Sequence, residues 1–179
     1  IDRSCMADDT GSVRFSVGDA EALPYIDESF DVVICNHVYE HTDCPERMIS
    51  EIYRVLVPGG VCYFAGPNKF ALVEPHYHLP LLSWLPRRLA DAYVRWTGRG
   101  TGYPESPYRI RDIQALVRDF DRVDYTRKIV ESPSEYGATD MLSERSPKRW
   151  AALFVYRFVS FIFPSVVYVL RKPAAGTHG

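Results

Sequence analysis

Paired cysteines are missing from this sequence. Cys5, Cys35, Cys44 and Cys62 show no C-x-x-C spacing, and Cys35 and Cys62 lie inside apolar runs, where a thiol behaves as a small hydrophobe. The pattern excludes a disulfide framework and a zinc knuckle, and it favours a reducing, cytoplasmic setting. A charge excess is missing too. Lys and Arg number 21 against 23 Asp and Glu, for a formal net charge of -2, so no global field draws in nucleic acid. The short basic cluster Pro86-Arg87-Arg88 reads as a solvated face, and no nucleic-acid partner is expected. No G-x-G-x-x-G occurs among the 11 glycines, which removes the fingerprint of a nicotinamide dehydrogenase. Internal repeats and low-complexity tracts are also absent. The chain opens on Ile1-Asp2-Arg3-Ser4, with no basic-then-apolar leader of the secretory kind.

What is present describes a packed domain. The 179 residues are 46% hydrophobic, 13% aromatic and 25% charged, enough for one domain with a real core and too short for two. The longest apolar stretch, Trp150 to Leu170, is interrupted by Arg157, Ser160, Pro164 and Ser165. Its length reaches the roughly 20 residues that span a bilayer. A central Arg costs about 2.5–3.5 kcal/mol on insertion, and Pro164 splits the run. It is therefore expected to fold as a helix over 147–163 followed by a strand over 165–171. Peripheral contact between this greasy helix and a membrane stays open.

Along the chain, Val13-Arg14-Phe15-Ser16-Val17 alternates like a strand. Val32-Val33-Ile34-Cys35 is a continuous apolar run suited to a strand buried on both faces. Asp43-Cys44-Pro45-Glu46 has the form of a capping box. Met48, Ile49, Ile52, Val55 and Leu56 then recur at helical spacing, and Pro58-Gly59-Gly60 is expected to stop that helix. Val61 to Ala65 is the next strand. Strand, helix, strand with short links makes a βαβ unit in a parallel sheet. Ligands in open α/β sheets bind beyond the carboxyl ends of the strands, so Asp19, the loop Asn36–His41 and Pro67-Asn68 should share one rim. Further helices are expected from Leu85 or Pro86 to Trp96, with a stripe of Leu85, Leu89, Tyr93 and Trp96, and from Arg109 to Asp119. A strand is expected from Arg122 to Val130. Residues 69–108 read as an insertion covering the rim.

Five segments in order, Val13–Pro24, Ser29–Val33, Val38-Tyr39-Glu40-His41, Glu51–Gly60 and Pro67-Asn68, resemble the methyltransferase type 11 group of class I S-adenosylmethionine-dependent methyltransferases. The resemblance implies an α/β fold: a Rossmann-like sheet, mostly parallel, with an antiparallel last strand. It also implies that the chain is a single, N-terminally incomplete domain, with the first strand and the glycine-rich loop upstream of Ile1. By the same resemblance S-adenosyl-L-methionine is the cofactor. Asp19 and the Ala20 backbone N–H would meet the adenine edge, Asp2 the ribose hydroxyls, and Met6 would pack beneath the ring. Asn36 and His37 would stand at the methionine end.

Methyl transfer from a sulfonium is a displacement governed by alignment, and an oxygen or nitrogen nucleophile needs a base within reach. His41 is the first candidate for contact with the acceptor or for the base, with Glu40 beside it. Glu40 and His41 also suit a role in capping the loop. His76 and His78 fall on one face of an extended segment, but two His with no third ligand evident do not make a metal site, so no metal is expected. Aromatic and basic groups in 69–108, Tyr77, Trp84, Tyr93, Trp96, Arg87, Arg88, Arg95 and Arg99 among them, suit a small-molecule or lipid-linked methyl acceptor. The competing reading is a non-catalytic remnant that binds a partner through a methyltransferase-like fold.

Overall fold

The computed structural model of the chain describes residues 15–139 and 146–174. Asp2 and Met6 lie outside the described residues, as do Val13 and Arg14. The described elements are β1 (Phe30–Asn36), α1 (Pro45–Val55), β2 (Leu56–Pro67), α2 (Arg87–Trp96), α3 (Ile110–Leu116), β3 (Asp121–Asp124), α4 (Tyr125–Glu131), α5 (Pro147–Val159) and β4 (Ser165–Arg171). Short 3-10 turns occupy Tyr39–His41, Leu82–Trp84 and Ser160–Ile162.

The four strands form one sheet in the order β1-β2-β4-β3. β1 and β2 run parallel, and β4 is antiparallel to both β2 and β3. Three strands therefore share one direction and the last in sequence reverses it, as the fold class requires. β4 alternates Val166, Tyr168 and Leu170 inward, the period-2 pattern of a strand with one face on the core. Cys62 and Phe64 of β2 point the same way, and α1 lays Met48, Ile49 and Ile52 over them. Ile113, Val117 and Phe120 close the same core beside α1.

The structure corrects several sequence expectations. Phe15 to Val17 form no strand; the nearest pairing is an isolated bridge between Asp19 and Ala22. An alternating pattern becomes a strand only against a neighbour, and none of the described residues supplies one. Val32 and Ile34 are not buried on both faces: they stand 57% and 73% exposed, because α1 and α3 cover one face of the sheet only. The helix cap is Cys44 with no side-chain bond, and the capping box at Asp43 is not made. Glu21 reaches in instead and accepts the Cys44 N–H at 2.7 Å. Pro58-Gly59-Gly60 does not stop α1, which has already ended at Val55. Those residues form a bulge in β2, where the register jumps from Phe30–Leu56 to Val32–Val61. Gly59 sits there at φ +82, a conformation that glycine adopts at little steric cost.

Farther along, the strand expected to run to Val130 stops at Asp124. The Asp124 carboxylate accepts the Thr126 N–H at 2.9 Å and starts α4, a cap that an apolar-run reading overlooks. In α2 the buried residues are Ala90 and Val94, while Leu89 and Trp96 are exposed at 57% and 83%. The helix thus turns a different edge inward than the larger side chains suggested. α3 ends at Leu116 and α5 at Val159, each short of the expected end. β4 spans 165–171 as expected, with Pro164 between it and the 3-10 turn. Among the described residues, no helix is long and apolar enough to cross a membrane.

Candidate active site

The rim beyond the carboxyl ends of β1 and β2 is organised by a reversal at His37. Its backbone N–H still donates to the Ala65 carbonyl at 2.9 Å, extending the ladder. Its φ is +53, a left-handed conformation uncommon for a residue with a Cβ. The chain then folds into the Tyr39–His41 turn. Tyr39 is fully buried; its hydroxyl donates to the Pro67 carbonyl and accepts the Tyr108 N–H at 3.1 Å. Burial pushes the Tyr39 phenol well above its ordinary range, so it remains a neutral clasp. A Cβ at Gly66 would collide with the Tyr39 ring, so this position on β2 requires glycine.

Behind the turn lies Glu40, 1% exposed. Its backbone carbonyl accepts the Ser106 N–H at 3.0 Å, which fastens residues 69–108 to the rim. Neither carboxylate oxygen has a hydrogen-bond partner. Three imidazoles surround it instead. His37 Nδ1 lies 3.2 Å from Oε1, His76 Nε2 3.8 Å and His41 Nε2 4.0 Å. The His76 ring stands edge-on to both His37 and His41, with centroids 5.5 and 5.9 Å apart. His76 is held from behind by Glu74, itself buried, which accepts the His76 ring Nδ1–H at 2.8 Å. Glu74 Oε2 accepts the backbone N–H groups of His76 and Tyr77 at 2.8 and 2.6 Å. That carboxylate fixes the tight turn that delivers His76 to the rim. Cys35, one strand position behind Asn36, has its thiol pushed up to about 12 by burial and by the nearby Glu40 charge.

Asn36 is exposed at the end of β1, on the same rim as His37, Glu40 and His41. Glu21, next in the chain after Asp19 and Ala20, accepts the Cys44 N–H and so ties this stretch to the first turn of α1. Ala20 packs against the main core. Asp19 is exposed, and one carboxylate oxygen accepts the Glu21 N–H at 2.8 Å while the carbonyl accepts Ala22 N–H. Asn68 belongs to the rim by position but not by availability. It is buried, its amide donates to the Phe161 and Phe163 carbonyls at 2.6 and 2.9 Å, and its oxygen accepts the Phe70 N–H. It clasps β2 to the turn preceding β4 and has no donor left for a ligand. Glu74 and the pairing of His76 with His37 were missed in the sequence. The pairing joins positions 39 residues apart in the chain, and only the fastening of 69–108 brings them together. A cleft of about 840 Å³ lies elsewhere, between α1 and α3, lined by Glu46, Tyr53, Tyr108 and Asp112.

Residues 3–64 match the family described as "Methyltransferase domain". That stretch is similar to a methyltransferase domain over about a third of the chain. The ubiquinone biosynthesis O-methyltransferase of Parvibaculum lavamentivorans is 30% identical over 105 residues, covering 54% of this chain and 40% of that protein. The malonyl-[acyl-carrier protein] O-methyltransferase of Methylococcus capsulatus is 45% identical over 58 residues, covering 32% of this chain and 21% of that protein. Among solved structures, the YcgJ protein of Bacillus subtilis shows a TM-score of 0.48 at 17% identity, covering 89% of this chain and 71% of that one. The chain thus spans well under half the length of these two curated relatives. Within the methyltransferase stretch fall Asp19, Ala20 and the whole Asn36–His41 turn.

Proposed function

We propose that this chain forms part of an S-adenosylmethionine-dependent methyltransferase acting on a small-molecule or lipid-linked acceptor. The reading is carried by one observation: the methyltransferase stretch ends its β1 in an exposed rim that joins Asn36, a strained His37 and an imidazole cluster. The residues present suit the cofactor. Asp19 is exposed with one carboxylate oxygen engaged in its own turn, which leaves the other for an adenine amino group, and Ala20 rests on the core behind it. Asn36 and His37 stand where the amino-acid end would lie. When bound, the cofactor supplies an electrophilic methyl group. The protein's own contribution is alignment and proton handling. His41, half-exposed beside the buried Glu40, is suited to hold the acceptor or take its proton.

The lipid-linked part of the reading draws support from outside the rim. Trp150, Phe154, Phe158 and Phe161 form an exposed aromatic stripe along α5 and its following turn, a surface that prefers apolar company. The relatives named for ubiquinone biosynthesis and for an acyl-carrier protein are consistent with it. Titration of the chain with S-adenosylhomocysteine should give micromolar binding, about -8 kcal/mol. Asp19→Ala should weaken it about tenfold, the share of one hydrogen bond to a neutral partner. No detectable binding would sink the reading. Transfer of labelled methyl groups only into water-soluble extracts would remove the lipid-linked acceptor.

A further inference from the structure

We propose that His37, Glu40 and His76 form a binding site for a divalent first-row transition-metal ion of the zinc class. One ligand atom from each of the three lies within 4.8 Å of the others. Donors bound tetrahedrally at 2.0–2.1 Å from zinc stand about 3.3 Å apart. The His37–Glu40 separation of 3.2 Å already meets that value and His76–Glu40, at 3.8 Å, nearly does. The last edge closes with a side-chain shift of roughly an ångström and a half by the same geometry.

Two further observations point to a cation. The first is Glu40 itself, fully buried with both carboxylate oxygens lacking any hydrogen bond. A buried carboxylate without a partner is costly, and a metal ion satisfies it in one step. The second is the Glu74 bond to His76 Nδ1. A carboxylate that holds one imidazole nitrogen fixes the tautomer and turns the other lone pair outward, which is the standard support of a metal-binding histidine. Here the outward nitrogen, Nε2, is the one that faces Glu40. Two imidazoles and one carboxylate are the donor set of open zinc sites, and a three-donor set leaves a fourth position. With His37 and His76 about a third exposed, that position is reachable from solvent. Imidazole donors favour zinc, copper, nickel or iron over magnesium or calcium.

The test is a titration of the full chain, after chelation, with Zn²⁺ and with Co²⁺ as a coloured probe, no methyl donor being present. One equivalent of Zn²⁺ should bind, and Co²⁺ should give the intense visible bands of a low-coordinate site. His76→Asn and Glu40→Gln should weaken Zn²⁺ at least 100-fold. Glu74→Gln, which removes only the support, should weaken it about 10- to 100-fold. His78→Asn is the control, an exposed neighbour whose φ of +52 asparagine tolerates, and it should bind as the parent does. If the parent takes up no Zn²⁺, or if Glu40→Gln and His76→Asn bind it undiminished, the three residues are only an ion pair and the site is overturned. Should a variant misfold, the parent titration and the Zn²⁺-dependent rise in its melting temperature still decide. The result is independent of S-adenosylhomocysteine binding, so failure of one leaves the other standing.

Discussion

The sheet with α1 and the segment from 69 to 108 are both packed around aliphatic side chains, yet they are secured in different ways. The sheet core is continuous: Cys62, Phe64, Ile52, Val166, Tyr168 and Leu170 interlock across two strands and a helix. The segment has its own small cluster of Leu79, Leu82, Ala90, Val94 and Tyr103. It joins the rest through single bonds, Ser106 N–H to Glu40 C=O, Tyr108 N–H to Tyr39 Oη and the Asn68 clasp at its start, while Lys69 N–H to Tyr108 C=O ties its own two ends together. A continuous core is lost as a whole. A region fastened at points can loosen by itself, and the segment so fastened is the one that brings His76 to the rim.

The sharpest way to break that comparison uses one substitution in both places. Leu170 and Leu82 are both fully buried, and truncating a buried Leu to Ala costs about 2–5 kcal/mol. Leu170→Ala should lower the global unfolding free energy by that amount in a denaturant titration. Leu82→Ala should leave the main transition nearly in place and instead raise amide exchange across 69–108. Equal global losses from the two would show a single cooperative unit. Gly66→Ala comes next. Its Cβ has no room beside the Tyr39 ring, and overpacking of this kind costs about 1–3 kcal/mol, read as a lower denaturation midpoint with unchanged slope. Tyr39→Phe keeps the ring and removes the hydroxyl, leaving the Pro67 carbonyl and the Tyr108 N–H without their partner. A loss of about 1–3 kcal/mol is expected, together with faster exchange at Ser106 and Tyr108. If exchange there does not change, the hydroxyl is not a fastening.

How much of this was legible follows the same division. The βαβ unit and the stripe of α1 were readable because period and burial coincide where a core is continuous; the reversal of the last strand came only from the family resemblance. The Tyr39–His41 turn could be placed at the rim from strand order alone. What failed was set by partners distant in sequence. Glu21 displaced the Asp43 cap, and Asn68 spent its amide on Phe161 and Phe163. His76 was set beside His78 by spacing, whereas the fold sets it beside His37. In α2, size suggested Leu89 and Trp96 for burial, but the small cluster had room for Ala90 and Val94. The Asp124 cap was a local signal and was available, masked by the apolar residues that follow it.

The smallest effect belongs to the other point-fastened segment, residues 19–29, which lies along α1. Arg54 donates to Glu51 at 2.7 and 2.8 Å, to Asp27 at 2.7 Å and to the Leu23 and Tyr25 carbonyls, while Glu51 accepts the Leu23 N–H. The Arg54 hydrogen bonds, aided by the Leu23 N–H, hold the Glu51 carboxyl below the usual carboxylate range. A folded value below the unfolded one means that the contribution is complete above the unfolded value and disappears as pH falls through the folded one. The group is only partly buried and its pairing is screened, so global stability should scarcely respond. Local exchange at Leu23 should rise as pH drops below the carboxylate range, after correction for the intrinsic rate. Glu51→Gln should flatten that dependence, since the amide cannot titrate. A pH response retained in Glu51→Gln would move the fastening to Asp27 and make the segment less like 69–108 than its bonding suggests.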